Sequence, residues 1–130
     1  MEEQVLRANQ FELIDERGKL RAVLGLIGGE PVLTLLGKDG APGLSLSLGG
    51  LPGFGDSASR DTCPSLRMYD KDLVSRCSIN VYPDGDASLS LCDRRGTPRI
   101  MLSIDKDDSP AVSLHNASGM PVFVIPPEVP

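Results

Sequence analysis

At 130 residues the chain has room for one domain, read here as spanning residues 1–130. A net charge of −5, with no basic stripe interleaved with aromatics, excludes a nucleic-acid binder. Aromatics make up only 4% and tryptophan is absent, so any core must be built from Leu, Ile and Val. No apolar run approaches the roughly 18 residues of a spanning helix, so no membrane partner is expected. The acidic start Met1-Glu2-Glu3-Gln4 lacks the apolar stretch of a signal peptide. Three cysteines, few and odd in number, fit a reduced, cytoplasmic setting.

Residues 1–10 form a lead-in. Val5, Leu6 and Ala8 would suit a short helix or an edge strand, and an extended or partly disordered segment is expected. From Phe11 onward a unit repeats. Its clearest copy is Leu89-x-Leu91-x-Asp93-x-x-Gly96-x-x-Arg99-x-x-Leu102-x-Ile104. The first apolar residue of each copy is Phe11, Leu33, Leu66, Leu89 and Val112, at spacings of 22, 33, 23 and 23. The period is thus 22 to 23 residues, with extra chain between copies two and three. The second apolar site is Leu13, Leu35, Met68, Leu91 and Leu114, and the late one is Leu24, Leu46, Ile79, Leu102 and Ile125. Asp15, Gly37, Asp70, Asp93 and Asn116 open the turns. Gly18, Gly40, Gly96 and Gly119 follow three residues later, where copy three has Leu73.

This grammar predicts a β-hairpin. Period-two alternation marks a half-buried strand. Asp or Asn at a turn's start bonds backbone two residues on, and the glycine supplies a positive φ. The second strands show one apolar face, running Leu20, Ala22, Leu24, Leu26 in copy one and Pro98, Ile100, Leu102, Ile104 in copy four. The opposite face carries Arg21, Ser45, Ser47, Arg76, Asn80, Arg99 and Ser103 and is expected to be mostly wet. Between copies one and two, Gly28-Gly29 reads as a second tight turn. Residues 49–63 are an inserted loop by composition, with Phe54 as a candidate interaction anchor. Tyr82-Pro83-Asp84-Gly85 marks another turn. The Pro-rich tail 126–130 cannot continue a ladder and ends the sheet.

The fold expected is therefore all-β: about ten strands in an antiparallel meander of five hairpin repeats of about 22 residues. A closed barrel and a parallel β-solenoid are the alternatives. Hairpins throughout would place the Asp-x-x-Gly turns at one end and the links 27–32, 49–65, 82–88 and 105–111 at the other. Those links carry eight acids and two bases, a net −6, so acidity would gather at one end.

Candidate chemistry is sparse. Asp84, Asp86, Asp105, Asp107 and Asp108 offer hard oxygen ligands, yet no stretch matches a calcium-loop pattern, and solvated turn carboxylates are the plainer reading. Asp15, Asp70 and Asp93 open turns, so capping explains them better than catalysis. Arg21, Arg76 and Arg99 share one repeat position and are interaction candidates for an anionic ligand; pairing with cross-strand acids is the ordinary alternative. His115, the single histidine, has Ser113 and Cys92 as prospective neighbours but no specific catalytic constellation. Cys63, Cys77 and Cys92 lack zinc-binding spacing; Cys77 suits the core, and Cys63 is the better candidate for a reactive thiol. No metal or other cofactor is expected.

The stretch Phe11-Glu-Leu-Ile-Asp15-Glu-Arg-Gly18-Lys-Leu-Arg21-Ala-Val-Leu24 resembles a repeat of uncharacterised bacterial proteins, in which tandem units with Asp-x-x-Gly turns and a following Arg fill short all-β chains. It is distantly similar to the YD/RHS repeats of bacterial surface and toxin-shell proteins, through Tyr69-Asp70 and the period. The chain lacks the repeated tyrosines of that family, so a toxin-shell role does not carry over, and neither resemblance supplies catalytic residues. The function expected is a structural or interaction module that self-assembles, as a dimer or trimer, through its aliphatic sheet face or its edges. A small-molecule binder with an apolar lumen or inter-subunit pocket is the alternative, and an enzyme comes last.

Overall fold

An aspartate or asparagine starts each doubly capped turn. In the computed structural model, which describes residues 2–48 and 63–126, Asp93 Oδ1 accepts the backbone N–H of Arg95 at 2.9 Å and of Thr97 at 3.1 Å. The turn closes with Gly96 N–H to the Asp93 carbonyl and Asp93 N–H to the Thr97 carbonyl, each at 3.0 Å. Asp15, Asp70 and Asn116 repeat the double cap. Where copy two has Gly37, Asp39 instead accepts the Ala41 N–H at 3.0 Å. The same turn recurs at the other end of the sheet, at 105–109, where Asp105 Oδ1 holds the N–H groups of Asp107 and Ser109. Gly28 and Gly29 both have positive φ, 60° and 85°, as a two-residue mirror-image turn requires.

Ten strands result: β1 (Phe11–Ile14), β2 (Leu20–Ile27), β3 (Glu30–Leu36), β4 (Pro42–Ser47), β5 (Ser65–Tyr69), β6 (Ser75–Val81), β7 (Ala87–Cys92), β8 (Pro98–Ile104), β9 (Pro110–His115) and β10 (Pro121–Ile125). They lie in sequence order in one sheet, and every pairing is antiparallel. Among the described residues each strand touches only the strands before and after it, so the sheet is open, with β1 and β10 as its edges. Neither the closed barrel nor the parallel solenoid is adopted. Residues 2–10 precede the sheet without regular structure. Phe54 and nearly all of the 49–63 insertion lie outside the described residues.

The register runs unbroken from edge to edge. One aliphatic row is Phe11, Leu24, Leu33, Leu46, Leu66, Ile79, Leu89, Leu102, Val112, Ile125, each paired with the next across a strand boundary. A second is Leu13, Ala22, Leu35, Leu44, Met68, Cys77, Leu91, Ile100, Leu114, Phe123. Between them, on the other face, runs Glu12, Val23, Thr34, Ser45, Arg67, Ser78, Ser90, Met101, Ser113, Val124.

Two features depart from simple alternation. A bulge follows each Asp-x-x-Gly turn: Leu13 pairs with Ala22 and Ile14 with Leu20, which leaves Arg21 without a ladder partner. Gly43, Arg76, Arg99 and Val122 occupy the same unpaired position in the other copies. Leu20, Pro42, Ser75, Pro98 and Pro121 therefore stand opposite Ile14, Leu36, Tyr69, Cys92 and His115, and do not begin the aliphatic series.

Burial is the second departure. Within one chain the face expected to be wet is the better covered. Val32, Ser45, Ser47, Asn80 and Ser90 are the buried residues, and Val32, 4% exposed, is the one buried aliphatic among those described. Short side chains explain this, because taller neighbours overhang them: Ser45 Oγ lies 3.3 Å from the Tyr69 hydroxyl. Among the described residues no element packs over the aliphatic rows, and Leu46 remains 42% exposed.

Candidate functional site

The bulge arginines are held by the fold. Arg99 Nε donates to the His115 carbonyl at 2.6 Å, Arg76 Nε to the Cys92 carbonyl at 2.7 Å and Arg21 Nε to the Leu36 carbonyl at 3.3 Å. Each carbonyl belongs to the last residue of the following strand. The same guanidinium leans on the second oxygen of the turn aspartate, at 3.5 Å to Asp93, 3.4 Å to Asp70 and 3.7 Å to Asp15. These ion pairs are long and partly exposed, so the charge-assisted bond to the carbonyl is the stronger link. One aspartate thus caps its turn with Oδ1 and steadies the arginine with Oδ2, and the arginine staples its hairpin to the next.

Partial burial opposes ionisation of Asp93, but the N–H groups of Arg95 and Thr97 and the Arg99 guanidinium outweigh it and hold the carboxyl below its ordinary range. Asp70 behaves likewise: burial raises it, while Val74, Asp72 and Arg76 together bring it down.

The acidic candidates are also engaged in turns. Asp84 Oδ1 accepts the Asp86 N–H at 3.0 Å, and Asp86 Oδ1 accepts the Lys106 N–H at 2.6 Å, tying two adjacent links. Asp108 takes the left-handed place of the turn glycine, at φ 63°. Among the described residues no three His, Cys, Asp or Glu side chains are grouped as a metal site.

His115 and Ser113 do meet. Ser113 Oγ is 2.9 Å from Nε2, and Nδ1 is 3.3 Å from the Gly119 carbonyl. A proton on Nδ1 satisfies both contacts. The third partner is a main-chain carbonyl, which orients the ring but brings no full charge to stabilise an imidazolium. Burial raises the Cys92 thiol, Asp93 and Cys77 add to this, and Arg76 only partly offsets them, which favours the thiol over the thiolate.

The largest chemical feature is the aliphatic face. Its two rows carry no charged side chain, and both ends are open: Phe11 is 45% and Phe123 52% exposed. On this face lies a hollow of about 430 Å³ floored by Leu24, Leu33, Leu46, Leu66 and Ile79, with Pro31 and Pro64 on its rim. A more polar hollow of about 480 Å³ sits at the first turn, where Arg17, Lys19, Arg21 and Lys38 mix with Asp15 and Glu16. The alternation made the face legible in the sequence. The arginine staples were not, because the bulge that re-aims those side chains leaves no signal beyond the fixed Asp-to-Arg spacing.

No helix among the described residues is long and apolar enough to cross a membrane. No protein-family model matches the chain, and no curated protein matches it.

Proposed function

We propose that this chain is a homotypic assembly module, whose aliphatic face is covered by the same face of a second copy. The observation that carries the reading is the exposure of both aliphatic rows in a chain with one buried aliphatic residue among those described. Soluble monomers rarely expose contiguous apolar patches beyond a few hundred Å², and here Leu24, Leu46, Ile79 and Leu102 of one row are each more than 40% exposed.

A second copy fits better than an unrelated partner. The two rows carry no charged side chain, and an isologous contact under a two-fold axis sets the same Leu/Ile patch of each copy against the other. Packing would be sheet on sheet, with strands aligned to within about 30°. The cysteines, three in number and so odd, support a reducing, cytoplasmic setting.

Light scattering after size exclusion tests the reading. The expected result is an oligomer of the 13.8 kDa chain, a dimer where the face contact acts alone, driven towards monomer by Leu46→Asp or Leu102→Asp. A monomer for the unaltered chain overturns it. The hollow over Leu33 and Leu66 favours a second reading, as a binder of small apolar molecules, since its volume lies in the range of ligand pockets. That reading expects an apolar fluorescent dye to be taken up stoichiometrically, with Leu66→Asp abolishing uptake.

A further inference from the structure

The three cross-strand rows run through all ten strands to β1 and β10, the two edges of the sheet. We propose that β10 of one copy pairs antiparallel with β1 of another, continuing the sheet head to tail with Ile125 opposite Phe11, Val124 opposite Glu12 and Phe123 opposite Leu13. This rests on the reading that the chain assembles with itself, and adds an edge contact to the face contact.

The register follows from the repeat. Inside the chain every even strand meets the next odd strand in one way: the late apolar site of one copy faces the first apolar site of the next. Leu24 faces Leu33, Leu46 faces Leu66, Ile79 faces Leu89 and Leu102 faces Val112. Ile125 is the late site of the last copy and Phe11 the first site of the first, so their pairing is the same junction made between chains. Direction agrees as well. With ten alternating strands, β10 runs opposite to β1, and translating one sheet beside another keeps the antiparallel alternation.

The edges are suited to it. The Val122–Ile125 segment of β10 has no charge, and Pro121 and Pro126 fence it, which limits slippage along the neighbour. An uncharged, apolar edge without protective lysines invites strand addition. The two phenylalanines among the described residues sit one on each edge strand, at opposite ends of the two aliphatic rows. The proposed register brings Phe11 diagonal to Phe123, within reach of an aromatic contact. Because the contact is heterologous, successive copies close into a ring or extend as a fibre.

The test mixes two single variants of the full chain, Glu12→Cys and Val124→Cys, under mild oxidation, and maps linked peptides by mass spectrometry. Peptide mapping separates the new link from those of the native cysteines. A 12–124 link, in several-fold excess over the product of the offset pair Ile14→Cys and Val124→Cys, is expected. The pair Leu13→Cys and Phe123→Cys provides an independent route should either first variant misfold. Persistent oligomer by light scattering without a 12–124 or 13–123 link overturns the edge contact and leaves the face contact standing. A dominant offset link overturns the register. Monomer at all concentrations overturns both contacts.

Discussion

Leu73 occupies a left-handed backbone position, φ 64°, at the turn site that Gly18, Gly40, Gly96 and Gly119 fill elsewhere. The turn keeps its shape, with Leu73 N–H 3.0 Å from the Asp70 carbonyl, so the residue is strained while its neighbours hold it. Its side chain is 51% exposed and contributes little burial. Leu73→Gly is therefore expected to stabilise the fold by about 1 kcal/mol, read as a higher denaturant midpoint. Asp108 shares the conformation at less cost, since Asp tolerates it better. The capping aspartates give a pH dependence. Asp70 and Asp93 have folded values below their unfolded ones, so their stabilisation is present above the ordinary carboxylate value of about 3.9 and lost as pH falls through the lower folded value. The melting temperature should hold from neutral pH to about pH 4 and fall below that. Asp93→Asn keeps the two backbone caps, as Asn116 does, but loses the pull on Arg99, and should flatten part of that acid limb. The aspartate's capping role was readable from spacing alone. Its second oxygen's hold on the arginine was not, because it depends on the bulge.

The hairpin with its bulge is the working element. Arginine in three copies reaches forward to the next strand's terminal carbonyl, and copies two and five have Gly43 and Val122 instead. Arg99→Ala should cost about 1 kcal/mol, the typical net value of one hydrogen bond, because water replaces the donor at a half-exposed carbonyl. Arg99→Lys should recover little, since a single ammonium cannot serve the carbonyl and the carboxylate through a planar fork. Chemical denaturation of the two variants checks both expectations. At this scale the strand count, hairpin pairing and turn positions follow from the repeat period, because Asp-x-x-Gly and period-two alternation leave few other ways to connect the copies. Which face is better covered did not follow. Hydrophobicity predicts which residues favour burial, whereas Ser45, Ser47 and Ser90 are covered because they are short beneath larger neighbours.

For the whole molecule, antiparallel order throughout sorts charge by end. Asp84, Asp86, Asp105, Asp107 and Asp108 gather with Glu30 at one end, and the turns bearing Arg17, Lys19, Arg94 and Arg95 lie at the other. In a face-to-face pair, a two-fold axis across the strands places the acidic end of one copy over the mixed-charge end of its partner, whereas an axis along the strands stacks acid on acid. The second should gain oligomer as salt screens its repulsion, whereas the first, with acid over an end whose turn charges sum to zero, should change little; a salt series by light scattering separates them. The sheet order has a mechanical consequence too. Since, among the described residues, each strand touches only its neighbours, the strands form links in series. Opening any one junction leaves two smaller sheets, each still internally paired, and the protein would come apart as a zipper does, from its ends or at its weakest tooth. The junction between β4 and β5 is the first candidate: it lacks the arginine staple and has the long insertion as its only covalent connection.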